Sequence, residues 1–469
     1  MSISGSLFNA YSGLAAASRT ASAISQNVSN ALTEGYGRRE VELSAASLDG
    51  RGTGVRVNSV TRAVDQVAIS NRRLAQSQSG QSDIRSDAYA RLESVIGIPG
   101  ESGSLTDLVT DLEAAFVQAE SRPDSQVRLQ NVVFAARDLV SGLNSISTAT
   151  QDLRMTADQE IADQVGTLNR TLADITDLNR DIRLQISAGN DTNGLQDQRQ
   201  LLIDRIAGMM PVKTFPRDNG QIALVSSGGA VLVDGQPAEF GFTPVGSISA
   251  DMSLDSGALS GLTLNGKALK VGNGGLVDGG SLSALFNVRD NIAPDASAQA
   301  DAFARTLMER FETSGLDPSL PSGAAGLFTD AGLAFNGLDE IGLAGRVTLN
   351  AAVDPDTGGA LWRIRDGLGA LTPGDVGDRS LLTGFISAIS QKTVASSGQF
   401  STAALSLNEL AGDLTALNSG ARLEAEDSQV FAQARFQELQ MIEMESGVDT
   451  DQEMQKLLLV EQAFAANAR

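Results

Sequence analysis

Both ends of this chain carry the same narrow apolar seam, and any fold must place both. Near the start Leu7, Ala10, Leu14, Ala17, Ala21, Ile24 and Val28 recur at alternating steps of three and four. Leu407, Leu410, Leu414, Leu417 and Ala421 repeat those steps near the other end. This is the a/d seam of a coiled coil, and its alanines let helices approach closely. A surface helix lying on a globular core has the same pattern. The first segment, however, is uniformly small and holds a single charge, Arg19, in residues 1–33, which favours a partner-seeking helix. An acidic break at Glu424, Glu426 and Asp427 interrupts the seam, after which Val430, Phe431, Leu439 and Ile442 continue a helical stripe. Gly447 suits a helix end, and Asp449 or Asp451 suits the cap of the next helix, with Glu453 in its first turn. Met454, Leu457, Leu458, Phe464, Ala465 and Ala468 form the apolar face of that last helix. Two such ends can pair with each other and with neighbouring subunits, while everything between them loops outward.

With 469 residues the chain can bury two to four cores, since single cores stop growing near roughly 250 residues. Aromatic residues make up only 4%, so long helices packed through small side chains are expected. Cysteine and histidine are both absent, which rules out a disulfide framework, a thiol nucleophile, a Ser-His-Asp triad and any Cys- or His-based metal site. A net charge of −22 disfavours nucleic acid as a partner, because phosphates select a basic face. No apolar run reaches 18 residues, so no membrane insertion is expected. The start of the chain also lacks the basic and continuous apolar regions of a cleavable secretory signal.

Between the ends, residues 64–97, 104–147 and 150–188 have helical patterning, punctuated by Pro99-Gly100 and Pro123. The stripe of the third stretch is Ile161, Val165, Leu168, Leu172, Ile175, Ile182 and Ile186, with Leu178 near a missing step at Asn179. Gly189-Asn190 closes it, and Leu201 to Ala207 restarts a helix that ends before Pro211. The character then changes. Val212–Phe215 and Gln221–Val225 flank Asp218-Asn219-Gly220, and Leu262–Leu264 and Ala268–Val271 flank Asn265-Gly266, a strong hairpin signal. Residues 281–313 return to helix with an interruption at Pro294. A Gly/Asp/Pro-rich stretch, 314–374, follows, with strand-like pieces at Arg346–Leu349 and Leu361–Ile364. The expected fold is mainly α with inserted β domains: long terminal coiled-coil helices, a helical-bundle middle and small β-rich outer domains. The terminal coiled-coil domain takes 1–45 and 423–469, the helical domain 46–205, 281–313 and 375–422, and the β-rich outer regions 206–280 and 314–374.

No catalytic, cofactor-binding or metal-ligating residue stands out. Asp354-Pro355-Asp356-Thr357-Gly358 lacks the further oxygen ligands of a calcium loop and reads as turn chemistry. Gly228-Gly229 and Gly272–Gly275 lack the Gly-Lys-Ser/Thr of a phosphate-binding loop. Nothing singles out two carboxylates for glycoside hydrolysis, and Trp362 is better placed in a core or interface than as a sugar platform.

Ser12-Gly13-Leu14-Ala15-Ala16, Ser25-Gln26-Asn27-Val28-Ser29-Asn30-Ala31 and Thr33-Glu34-Gly35-Tyr36-Gly37-Arg38 together resemble the shared opening of the flagellar rod, hook and hook-associated proteins. In this opening Asn and Ser end the helix, Gly35 permits a sharp turn, Tyr36 anchors it and Arg38 sits at its edge. Three further stretches resemble the hook-associated protein 1 branch. They are Asn193-Gly194-Leu195-Gln196-Asp197-Gln198-Arg199 with Leu201-Leu202-Ile203; Gly279-Gly280-Ser281-Leu282 through Val288-Arg289-Asp290; and Ser446-Gly447-Val448-Asp449-Thr450-Asp451-Gln452-Glu453-Met454 with Ala463-Phe464-Ala465-Ala466-Asn467-Ala468-Arg469. Gln200 stands where the branch has an acid, Met308–Phe311 replaces an Asn-containing stretch, and the branch's last helix continues a few turns beyond the position of Arg469.

The resemblance implies a structural, non-enzymatic subunit at the junction of hook and filament, located outside the cell after export through the flagellar type III apparatus. It implies hook protein, hook-associated protein 3 and further copies of the chain as partners, and a cytosolic chaperone on the C-terminal helix before export. Ser12, Leu14, Asn27, Asn30, Gly35, Tyr36 and Arg38, with Val448, Asp451, Met454, Leu457, Phe464 and Asn467, are the expected assembly interface. The terminal seams bury little apolar area alone and are expected to be partly disordered in the free chain. The alternatives are another axial protein (hook-associated protein 3, flagellin or hook protein), which the Asp197-Gln198-Arg199 stretch disfavours, or an acidic hydrolase carried on flagellar helices.

Overall fold

The computed structural model describes residues 3–48, 51–313 and 315–469. Helix α1 (Ile3–Ser29) leads into an antiparallel hairpin of β1 (Arg38–Leu48) and β2 (Arg51–Ala63). Asp65 caps α2 (Gln66–Ile96) by accepting the Val67 and Ala68 N–H groups that the first turn leaves unpaired. Pro123 separates α3 (Leu105–Ser121) from α4 (Gln126–Ser187), and α5 (Asn193–Met209) returns along the end of α4.

Helix α4 is the spine. Its 62 residues extend roughly 90 Å at the usual helical rise. Its buried positions step by three and four from Leu129 through Leu139, Ile146, Leu153, Ile161 and Leu172 to Ile182. The seam legible at 161–182 thus continues without the break expected near residues 147–150. Thr150 is accommodated there because its hydroxyl donates to the Ser147 carbonyl at 2.7 Å. The missing step is Asn179 itself, buried and bonded through its amide to the backbone N–H and carbonyl of Ile222. Ile186, expected in the stripe, is 37% exposed.

Strands β3 (Val212–Pro216), β4 (Ile222–Ser226), β5 (Val231–Asp234) and β6 (Gln236–Pro237) form one antiparallel sheet. A second comprises β7 (Phe240–Gly241), β8 (Thr263–Leu264) and β9 (Lys267–Ala268). Both expected Asn-Gly turns form, with Asn219 at φ 52° and Asn265 at φ 51°. Helices α6 (Gly280–Asn287) and α7 (Ala293–Phe311) are joined by a π-turn over Val288–Ile292. Pro294 falls in the first turn of α7, where its lacking N–H has no helical partner to lose, so the expected interruption is a widened turn. Gly280, at φ 78°, lies so close to the Met209 carbonyl that a Cβ there would collide with it.

β10 (Phe328–Asp330) pairs with β11 (Val347–Leu349) on either side of the single turn α8 (Leu343–Arg346). Leu361–Ile364 is not a strand: Ile364 N–H bonds to the Leu361 carbonyl at 3.1 Å and the segment runs into α9 (Arg363–Asp366). Its backbone groups are satisfied locally, leaving none for a ladder. Asp354 and Asp356 both pair with Arg137. After α10 (Ser380–Ser390), α11 (Leu407–Glu445) runs for 39 residues, opened by a capping box of Ser406 and Glu409. The helix runs unbroken through the acidic stretch, while its buried seam thins to Ala425 and Ala432 after Thr415. Glu424 and Glu426 lie on the solvent side, paired with Arg85 and Arg422, and do not oppose one another across a seam. Helix α11 lies antiparallel on α2, with Arg72–Glu443 at 2.7 Å, Asp83–Gln429 at 2.9 Å and Glu93–Arg422 at 2.5 Å. α12 (Thr450–Ala468) completes the chain, capped by Asp449.

The core is continuous along α4. Phe116, Phe311, Phe328 and Phe385 tie α3, α7, β10 and α10 together with ring centroids 5.0–6.2 Å apart. Beside it Asp301 of α7 is buried, accepting the Gly342 and Ala344 N–H groups at 2.8 Å each. Burial outweighs those bonds and pushes its carboxyl up to about 6 from 3.8. A raised carboxyl pKa means the folded state holds the proton more tightly. Its stability contribution is therefore complete below pH 3.8 and lost as pH rises through 6. The full shift is worth about 3 kcal/mol at 1.36 kcal/mol per pKa unit, and relative to Asp301→Asn the wild-type chain is expected to lose about 2 kcal/mol of it between pH 4 and pH 7. Urea denaturation of both chains at the two pH values checks this, and parallel curves would refute it.

Candidate assembly site at the paired chain ends

Helix α12 lies antiparallel on α1, so the first and last helices of the chain form one unit. Asn27 stands level with Glu453, and Gly13 sits against the side chain of Asn467. Among the described residues of α1, Ala16, Ala17, Ala23, Ile24 and Asn27 are buried. Its other neighbour is the β1–β2 hairpin, where the Ser12 hydroxyl accepts the Val55 N–H at 3.1 Å.

Asn27 is fully buried and uses its whole hydrogen-bonding capacity. Its Oδ1 accepts from the Tyr36 hydroxyl at 2.8 Å and the Arg39 N–H at 2.7 Å; its Nδ2 donates to the Arg39 carbonyl and to Glu453 Oε2, both at 2.9 Å. The opening motif is thereby explained: the amide that ends the helix also holds the following turn and the last helix. Burial raises the Tyr36 phenol above its ordinary pKa against the opposing pull of Arg39, whose guanidinium lies 4.7 Å from the ring centre. Tyr36 therefore remains a hydrogen-bond donor.

Helix α5 joins this turn to the spine. Asp197 accepts from the Gly37 N–H at 3.1 Å and from Arg62 Nε at 2.7 Å, and is bonded to Arg39. Asn193 donates to the Val60 carbonyl at 2.7 Å. Two turns on, Asp204 pairs with Arg72 and Arg73 at 2.9 and 2.6 Å, and Arg72 also reaches Glu443 of α11. Burial lowers the pKa of Arg62 and Arg73; at Arg72 burial is again the largest influence, but Asp204 and Glu443 outweigh it and the pKa rises. Arg199 faces the other way, onto Asn179 Oδ1 at 2.7 Å and the Gly220 carbonyl at 2.8 Å. With no carboxylate against it, desolvation chiefly, and Arg62 secondarily, bring it down to about 10. Gln200 has a physical reason to differ from an acid. It accepts from Arg62 while its Nε2 donates to Glu443 at 3.4 Å, a bridge that a second carboxylate would turn into repulsion.

Gly35, at φ 76°, lies where a Cβ would come within 2.6 Å of Leu201 Cγ. Gly35→Ala is expected to cost roughly 1–2 kcal/mol from the left-handed backbone alone, with displacement of Leu201 added. The urea midpoint reads the loss, and an unchanged midpoint would contradict it.

The other expected interface residues are spread around these contacts. Leu14 and Leu457 are half-buried, Asn30 donates to the Gln26 carbonyl, and Arg38 lies 3.9 Å from Glu40. Val448 precedes the Asp449 cap, which binds the Asp451 N–H, and Met454 and Phe464 are 49% and 46% exposed. Leu7, Phe8 and Tyr11 of α1 and Leu458 and Leu459 of α12 are more than half exposed. The sequence reading missed Arg39, Arg62 and the buried role of Glu453. The alternation of Val41 and Leu43 with Val55 and Val57 was the available signal for the hairpin that carries the first two.

Residues 89–317 match the family model described as the flagellar hook-associated protein FlgK helical domain. By that match the middle of the chain is similar to the FlgK helical domain. It is 27% identical to flagellar hook-associated protein 1 of Bacillus subtilis over 233 residues, covering 47% of this chain and 46% of that protein. It is 28% identical to flagellar hook-associated protein 1 of Salmonella typhimurium over 327 residues, covering 66% of this chain and 58% of that protein. The chain thus spans about half the length of these relatives. The flagellar hook junction protein FlgK of Burkholderia pseudomallei superposes with a TM-score of 0.46 at 20% identity, over 55% of this chain and 46% of that one. Helix α5 lies within the matched stretch and carries the contacts to the hairpin and its preceding turn.

Proposed function

We propose that this chain is a structural subunit of the bacterial flagellum that forms the junction between hook and filament. The observation that carries the reading is the pairing of α1 with α12: both chain ends lie together at one site and leave large apolar side chains uncovered there. Their shared face is built mostly of alanine, so closing it buries little apolar area. Neighbouring copies in a ring, hook protein on one side and hook-associated protein 3 on the other, would cover Leu7, Phe8, Tyr11, Leu458, Leu459 and Phe464. Before that, an export chaperone would cover α12 in the cytosol, and α1 would lead the chain through the flagellar type III apparatus to the cell exterior. We propose no catalytic role, because Asp197, Asp204, Glu443 and Glu453 are each held by arginine, lysine or amide partners.

The test is deletion of the gene in its own organism, with complementation by the full chain or by a chain carrying Leu7→Ser, Phe8→Ser, Leu458→Ser and Leu459→Ser. Bare hooks in the deletion, filaments restored by the full chain alone, and antibody labelling at hook tips are expected. Normal filaments in the deletion strain would overturn the reading.

A further inference from the structure

We propose that the buried Asn27–Glu453 pair sets the register in which the two chain ends close on one another. The apolar surface of α1 that faces inward is mostly alanine and discriminates registers weakly. Ala16, Ala17 and Ala23 recur along the buried face of α1, with Ile24 the one larger buried apolar side chain among those described, so after a slip of one turn most of the face is still small side chains. Where apolar contact is this uniform, one buried polar contact decides the alignment.

Glu453 is the single buried residue of α12 among those described. Its two oxygens are both used, Oε2 by Asn27 Nδ2 at 2.9 Å and Oε1 by Lys456 Nζ at 2.8 Å. Asn27 cannot follow a sliding helix, because its other three bonds fix it to the Arg39 backbone and the Tyr36 hydroxyl. A slip of one turn moves α12 by about 5.4 Å. In one direction it brings Leu457 to Asn27, which leaves the amide without an acceptor. In the other it brings Asp449, whose carboxylate is occupied by the Asp451 and Gln452 N–H groups as the helix cap. Either slip also strips the buried Glu453 of its amide partner, a loss that apolar contact does not offset. The pair therefore fixes how the exposed residues of α1 and α12 are displayed together. This property belongs to the isolated chain and holds whether or not the chain sits at a hook junction.

The chain has no cysteine, so register can be trapped directly. A Cβ at Gly13 lies 2.8 Å from Asn467 Cγ, which makes Gly13→Cys/Asn467→Cys a reporter of the native alignment. Ala17→Cys/Asn467→Cys reports the alignment that places Leu457 at Asn27. Each pair is oxidised in three backgrounds (otherwise unchanged, Asn27→Leu/Glu453→Leu, and Glu453→Gln), and the rates of intramolecular disulfide formation are compared. Circular dichroism records helix content. In the unchanged chain the native pair should close faster than the slipped pair by roughly tenfold or more, the order of one hydrogen bond to a buried charge. Glu453→Gln keeps an acceptor for Asn27 and should keep that preference. Asn27→Leu/Glu453→Leu should retain its helices and bring the two rates together. A preserved preference in that double variant would overturn the proposal. So would the loss of both cross-links there, which would show that the pair holds the helices together without choosing their alignment.

Discussion

Replacing Arg289 with alanine is expected to destabilise the whole helical domain by about 3–5 kcal/mol, the range for breaking a buried ion pair from one side. Its side chain is fully buried, with Nη1 on Asp158 at 2.7 Å, Nε on Asp290 at 2.8 Å and Nη2 on the Ser260 carbonyl at 3.0 Å. Phe242 and Phe286 lie against the guanidinium, 5.5 and 4.9 Å from ring centre to charge. Burial opposes the charge most, but Asp290 and Asp158 together overcome it and hold its pKa above the ordinary value. Asp158 gains as well, since its second oxygen accepts the Val245 N–H at 2.8 Å. Arg289 thus clasps the loop between β7 and β8 to the middle of α4. Without it Asp158 is a buried carboxylate with no cation. Arg289→Met should therefore be nearly as harmful despite keeping the stem's packing, whereas Arg289→Met/Asp158→Leu should recover part of the loss. Urea midpoints at constant slope measure each value. A double variant no better than the single one would mean that packing on the two phenylalanines, and not the charge pair, makes the site.

The long helices were legible because their apolar steps of three and four persist, and the Asn-Gly hairpins because their turn residues are restrictive. The boundary drawn between 147 and 150 and the interruption drawn at Glu424–Asp427 are both absent from the helices. Thr150 satisfies its hydroxyl within its own helix, and Glu424 and Glu426 lie on a solvent face, so neither interrupts the backbone ladder. The β1–β2 hairpin escaped notice because its strands hold many arginines, serines and glycines, and its partner is the helix that precedes it. At the site, Asn27, Gly35, Tyr36 and Asn467 could be named from a motif. Glu453 could not: an acid in a first helical turn is ordinary electrostatics, and its burial follows from which helix lands on it. The same holds for Arg39 and Arg62, which meet Asp197 across sequence separations of 158 and 135. Ion pairs this distant in sequence leave no periodic trace.

Asp197→Ala should act differently from Arg289→Ala, because its partners can escape. In the intact chain the side chains of Arg39 and Arg62 are 7% and 9% exposed and share one carboxylate. Losing it would cost about 3–5 kcal/mol if both guanidiniums stayed buried. The hairpin that carries them packs on α1 and reaches α5 through a few polar contacts, so swinging it away costs less than unfolding the domain. The expected result is a local opening. Hydrogen exchange should quicken in residues 38–48, 51–63 and the turn at 30–37, while the α4 amides from Leu129 to Ile182 keep their protection. Asp197→Asn, which keeps one acceptor and loses the charge, should fall between. Uniform loss of protection would place Asp197 in the global core, and no change would show that the two arginines need no carboxylate. If the opening is local, the paired ends are a unit hinged on α5. The same variant should then release α1 and α12 from the helical domain without melting it, so that a failure to assemble could be assigned to the orientation of the ends and not to their absence.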